Sequence, residues 1–136
     1  MESESERLRM NRDLRTSSAD TSQRMLNALQ PGTMVPIHRH RETSETVICL
    51  SGRVVEIIYE EVVEYSREET SRTEEVMRKR SMREVSRHLL CPAEGLYGIQ
   101  VPAGAWHTIE VLEPSVVFEA KDGAFAPASK EDIFGQ

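Results

Sequence analysis

Three imidazoles and one carboxylate recur at spacings that suit a single metal ion: Gly32-x5-His38-x-His40-x4-Glu45-x6-Gly52, then Pro102-x-Gly104-x2-His107. Side chains two apart on a strand point to the same face. A strand over 34–40 therefore aims His38 and His40 together, with Arg39 pointing away. The polar run 41–44 can turn the chain, so that Glu45 opens a second, antiparallel strand over 45–50. Pro102-Ala103-Gly104 has the form of a turn, Pro fixing φ and Gly allowing a positive one. It delivers His107 to the mouth of another apolar strand. Neutral imidazoles with a carboxylate suit first-row divalent ions such as Fe, Mn, Ni, Co or Zn. The set lacks thiolates, which argues against a closed structural zinc site.

Other polar residues could serve such a centre. Glu119 and Lys121 share one strand face by the i,i+2 rule, and Phe118 and Ala120 take the other. If the charged pair faces inward it can bind or protonate a substrate; an outward ion pair is the competing reading. Arg24 and Asn27 fall on opposite faces of a regular strand, so at most one of them faces a cavity. Cys49 has the parity of Glu45, although a buried free cysteine usually acts as a small hydrophobe. Trp106 reads as rim or core packing.

The elements that must position these groups are short strands. The segments 23–29, 34–40, 45–50, 53–59, 89–92, 98–101, 108–112 and 115–121 are apolar or β-branched and separated by Gly, Pro and polar turns. Many short strands of this kind indicate an all-β sandwich or barrel. One stretch differs. Residues 60–87 lack Gly and Pro, and pass from acidic to basic. Ser71-x-x-Glu74 has the form of a capping box, and Glu74/Arg78 and Glu75/Lys79 stand at i,i+4, which predicts a helix over about 71–83. The rival is a long hairpin whose acidic strand pairs with its basic one; the missing turn glycine argues against it. Such an excursion is a solvated surface feature, or a lid or dimer contact using Val76, Met77 and Met82.

At 136 residues the chain suits one domain with one core: a disordered tail over 1–6, a domain over 7–127 with an insertion at about 62–84, and a tail over 128–136. A turn is expected at 129–134. The net charge of −6 argues against nucleic acid, and no apolar run is long enough to cross a membrane. The acidic start is unlike a signal peptide, and Cys49 and Cys91 make no disulfide framework. A cytoplasmic, reduced protein is the simplest account.

The residues 32–52 and 102–107 resemble the two motifs of the cupins. The first fits at every anchor. In the second, the leading glycine is displaced by one (Gly95) or absent, and Val111 stands where a closing Asn is usual; neither position is a ligand. The chain is more closely similar to the WbuC-type cupin-fold metalloproteins, through Arg7–Asn11, 23–33, His38-Arg39-His40, 98–108 and Phe118-Glu119-Ala120-Lys121. The resemblance covers about 7–127 except 62–84, where such relatives have a short hairpin turn. It implies a single cupin (double-stranded β-helix, jelly-roll) barrel holding one divalent metal through His38, His40, Glu45 and His107. It also implies a homodimer, and sugar or sugar-nucleotide chemistry, since the family is associated with polysaccharide gene clusters.

The first functional expectation is thus a metal-dependent enzyme, an isomerase, lyase or oxygenase, acting on a small polar or carbohydrate-derived molecule. The metal would orient a chelating hydroxy- or keto-substrate, and Glu119 and Lys121 would supply acid/base or anchoring groups. Alternatives are a non-catalytic binding or sensing cupin, which an outward Glu119 and Lys121 would favour, and an Fe-dependent dioxygenase.

Overall fold

The structure, a computed structural model, describes residues 8–70, 73–123 and 129–135. The tail expected over 1–6 lies outside them. Six strands form one antiparallel sheet: β1 (Arg9–Asp13), β2 (Ser22–Leu29), β3 (Glu45–Thr70), β4 (Thr73–Leu90), β5 (Gly98–Val101) and β6 (Trp106–Asp122), in the order β1-β2-β6-β3-β4, with β5 on β3. The all-β expectation holds. β2 shows the period of a half-buried strand: Gln23, Met25, Asn27 and Leu29 are buried, while Arg24 and Ala28 are exposed. β1 was not foreseen; its charged sequence conceals an edge strand that pairs with β2, Arg9 opposite Leu29 and Asp13 opposite Met25.

Two pairs of expected strands are single bent ones. The segments 45–50 and 53–59 both belong to β3, and 108–112 and 115–121 both belong to β6. The turn residues between them make a hinge rather than a reversal. Pairing of β3 with β6 shifts register between Cys49 and Val54, around Gly52, and Pro114 lies opposite. Proline inside a sheet belongs at such an irregularity because it has no N–H to give. Gly52 has φ +94°, and a Cβ there would collide with the Ser115 side chain and the Pro114 carbonyl. The bend rolls the sheet over a core of Leu29, Val47, Cys49, Val54, Val101 and Val117. Cys49 thus belongs to packing, not to a pocket.

The helix read over 71–83 is not present. From Thr73 onward this segment is strand β4, paired with β3 as a long ribbon, Glu60 opposite Arg83, Val63 opposite Arg80, Glu64 opposite Lys79. Arg83 pairs with Glu60, and Arg80 Nε donates to Glu61 Oε1 at 2.6 Å. The hairpin reading was the better one. Each i,i+4 pair is worth only about 0.2–0.5 kcal/mol in a helix. The ribbon continues outward the pairing of the β-branched run Val54, Val55, Ile57 and Ile58 with Leu90, Leu89, Arg87 and Ser86. In β4 those i,i+4 partners stand roughly 13 Å apart. Ser71, the cap of the proposed box, lies outside the described residues. The expected strand over 34–40 is also absent. It is irregular chain with an isolated bridge at His38.

Candidate metal centre

The irregular segment is fixed by neighbours on both sides. His38 and His107 exchange backbone hydrogen bonds, His38 N to His107 O at 3.0 Å and His107 N to His38 O at 2.8 Å. Gly104 N donates to His40 O at 2.7 Å, tying the second motif's turn to the first. On the other side, Arg39 N donates to Asp132 O and Phe134 N to Ile37 O. The Asp132 carboxylate accepts from Arg39 Nε at 3.0 Å and Arg41 Nε at 2.6 Å. Arg39 also lies over the buried Trp106 ring, 4.5 Å from its centroid. Trp106 is therefore core and rim packing. The expected turn at 129–134 is a short 3-10 helix, Lys130–Asp132, and it packs on the loop that carries two of the histidines.

Backbone pinning brings the three rings together. The ligand-capable atoms of His38, His40 and His107 all lie within 4.8 Å of one another. Glu45, at the start of β3, joins them: its Oε2 is 3.1 Å from His40 Nε2 and its Oε1 3.9 Å from His107 Nε2. His38 Nδ1 is 2.9 Å from the Pro36 carbonyl, and His107 Nδ1 is 2.9 Å from that of Ala105. A carbonyl only accepts, so each Nδ1 carries the proton and each Nε2 is left with a free lone pair. His107 Nε2 is buried with no hydrogen-bond partner. That orphaned atom, aimed among two imidazoles and a carboxylate, fits a divalent cation.

Electrostatics favour the ligand forms. Burial, then the neighbouring His38, lowers the His107 pKa to about 4; burial also lowers that of His38. Both stay neutral near pH 7. Burial works to raise the Glu45 pKa, but the His40 hydrogen bond and the histidine charges outweigh it, and the carboxyl falls below its ordinary value.

The cluster opens into a cavity of about 280 Å³. Glu119 and Lys121 both line it, and so does Asn27, whereas Arg24 points out to Asp20. Register explains this: Gln23, Lys121 and Glu45 lie in one cross-strand row, Arg24, Ala120 and Thr46 in the next on the other face, and Met25, Glu119 and Val47 in the one after. Burial, then the charge of Glu45, raises the Glu119 pKa to about 7 despite opposition from Arg9, Asn27 and Lys121. Sequence reasoning missed Arg9, Gln23, Ile133 and, above all, Glu56, which is 2% exposed. Burial and the charges of Glu45 and Glu119 push its pKa well above the ordinary range. The available signal was a lone acid within Val54-Val55-Glu56-Ile57-Ile58.

The rolled sheet is similar to that of a cupin 2 domain-containing protein from Halorhodospira halophila, with TM-score 0.57 and 16% identity over 97% of this chain and 74% of that one. It is also similar to a conserved protein of unknown function from Streptococcus pyogenes, with TM-score 0.54 and 16% identity over 88% and 78%. The capsular polysaccharide assembling protein CapF from Staphylococcus aureus matches with TM-score 0.50 and 20% identity over 79% of this chain. This chain covers only 24% of CapF. The fold is a cupin fold. Residues 2–71 match the family described as a domain of unknown function, DUF6016, and the chain belongs to that family. No curated protein matches it.

Proposed function

We propose that this protein is a cupin metalloenzyme that binds one divalent transition metal through His38, His40, Glu45 and His107. Its substrate is a small polar, carbohydrate-derived molecule. The observation that carries the reading is the buried, unpartnered His107 Nε2 facing two more imidazoles and the Glu45 carboxylate. Bound there, a divalent ion would supply Lewis-acid polarisation of a substrate oxygen. The chain's own groups would do the rest. The carbonyls of Pro36 and Ala105 hold His38 and His107 in their ligand tautomers. Glu119, with a pKa near 7, can hold or release a proton at its carboxyl, and Lys121 can anchor an anionic group beside it. Their inward placement favours an enzyme over a passive sensor.

The sugar assignment leans on the WbuC-type resemblance, and the capsular polysaccharide role named for CapF accords with it. A homodimer is part of the same reading: β4 is an edge strand, and Val76 and Met77 on the ribbon are exposed. The two free, buried cysteines accord with a reducing, cytoplasmic setting.

Elemental analysis of the purified protein beside His38→Ala/His107→Ala tests the centre. Near-stoichiometric metal in the wild type and none in the variant is expected. No metal in the wild type after reconstitution with Fe, Mn, Zn or Ni would overturn it.

A further inference from the structure

Three side chains that line the cavity, outside the His–Glu cluster, have polar atoms with nothing to bond. Gln23 and Asn27 on β2 are 4% and 2% exposed, and their Oε1 and Oδ1 oxygens are buried without a partner. Glu56 on β3 faces the same cavity. It has neither a hydrogen bond nor an ion pair among the described residues. Buried polar groups are satisfied in the great majority of cases. Two buried amide oxygens without a partner, beside a carboxyl with no hydrogen bond among the described residues, leave this side of the cavity ready for the donors of a ligand.

The chemistry of the missing partner follows from the orphans. Amide oxygens only accept, so the ligand must donate. The Asn27 amide is oriented by its hydrogen bond to Glu119, which leaves the oxygen as the free atom. An ammonium would add a cation to a cavity already lined by Arg9 and Lys121, whereas Lys121 can hold an anionic end of the ligand. A hydroxyl donates to the amide oxygens. It also suits the Glu56 carboxyl, to which a hydroxyl can donate.

We propose that Gln23, Asn27 and Glu56 form a hydroxyl-binding wall of the cavity, and that the ligand is a single small polyhydroxylated molecule. The inference rests on the metal reading for the cluster end of that ligand, and adds the wall that recognises the remainder. A volume of about 280 Å³ lies just below the usual range for small-molecule sites, roughly 300–1,000 Å³, which suits one such unit and not a polymer.

Calorimetric titration of the metal-loaded protein with gluconate and with hexanoate tests this. Hexanoate keeps the carboxylate and the chain and lacks the hydroxyls. Gluconate is expected to bind at least about tenfold more tightly. Glu56→Leu and Gln23→Leu, on different strands, should each weaken gluconate about tenfold and leave hexanoate and metal content unchanged. The proposal is overturned if wild type does not bind gluconate, if hexanoate binds equally well, or if both variants bind gluconate as wild type does. Elemental analysis of the same samples separates the two readings. A metal-free protein that still prefers gluconate supports the wall and overturns the metal.

Discussion

The two long strands that build the barrel carry opposite chemistry near their hinge and away from it. Beside Gly52 and Pro114, β3 contributes Cys49 and Val54, and β6 contributes Val111 and Val117, all buried in the apolar cluster. Further out, the same strands present Glu45 and Glu56, and His107, Glu119 and Lys121, to the cavity. Pairing of β3 with β6 is regular through the mouth and slips register only at the hinge, around Gly52, so the two ends differ in backbone as well as in side chains. The hinge end is close-packed and supplies stability. The mouth end holds buried polar atoms without partners, which cost stability and are retained where binding or chemistry needs them.

Mutations on the two sides should move stability in opposite directions. Leu90→Ala, at the hinge end opposite Val54, leaves a cavity in a packed site and should lower the unfolding free energy by about 2–5 kcal/mol in denaturant titrations. A loss under about 1 kcal/mol would show that this end is loosely packed. At the mouth, Glu56→Leu removes an unpartnered buried acid and should stabilise the metal-free protein by about 1–3 kcal/mol. A loss of stability there would erase the contrast between the ends.

The smallest effect is a pH dependence internal to the mouth. The Glu119 pKa is raised from 4.5 to about 7, so its contribution to stability is present below pH 4.5 and lost as pH rises to 7. His107, lowered from 6.5 to about 4, works the other way: its contribution is present above pH 6.5 and lost as pH falls to 4. In the metal-free protein the two oppose each other between pH 4.5 and 6.5. Thermal melts of wild type and Glu119→Gln should show the variant gaining on wild type steadily from pH 4.5 to 7. A constant difference across that range would mean that Glu119 is ionised normally.

Local pattern carried the cluster of His38, His40, Glu45 and His107, because these residues lie in two motifs whose turns bring them together. Parity alone also separated Asn27 from Arg24. Parity failed for Cys49, because the face of β3 that carries Glu45 to the cavity passes into the core from Val47 onward. Glu56 showed only as an acid in an apolar run: its neighbours Val55 and Ile57 are buried too, so no solvent face tells which way it points. The β3–β4 ribbon was misread because helix signals are local while its partner strand is distant. The loop at 34–40 keeps its ring geometry without being a strand, since its order is borrowed from Gly104, His107 and Asp132.

The clasp of Asp132 on Arg39 and Arg41 sets an order of events. Arg39 and Asp132 are 93 positions apart, and His38 is bridged on one side by His107 and on the other by Ile133. Contacts so distant in the chain close late, after local strands and hairpins have formed. During synthesis, a ribosome-bound chain has its histidines out in solution well before it has the segment that braces two of them. The same segment is a point of vulnerability. A single proteolytic cut ahead of Asp132 would unseat the histidine loop while leaving every imidazole in the chain intact.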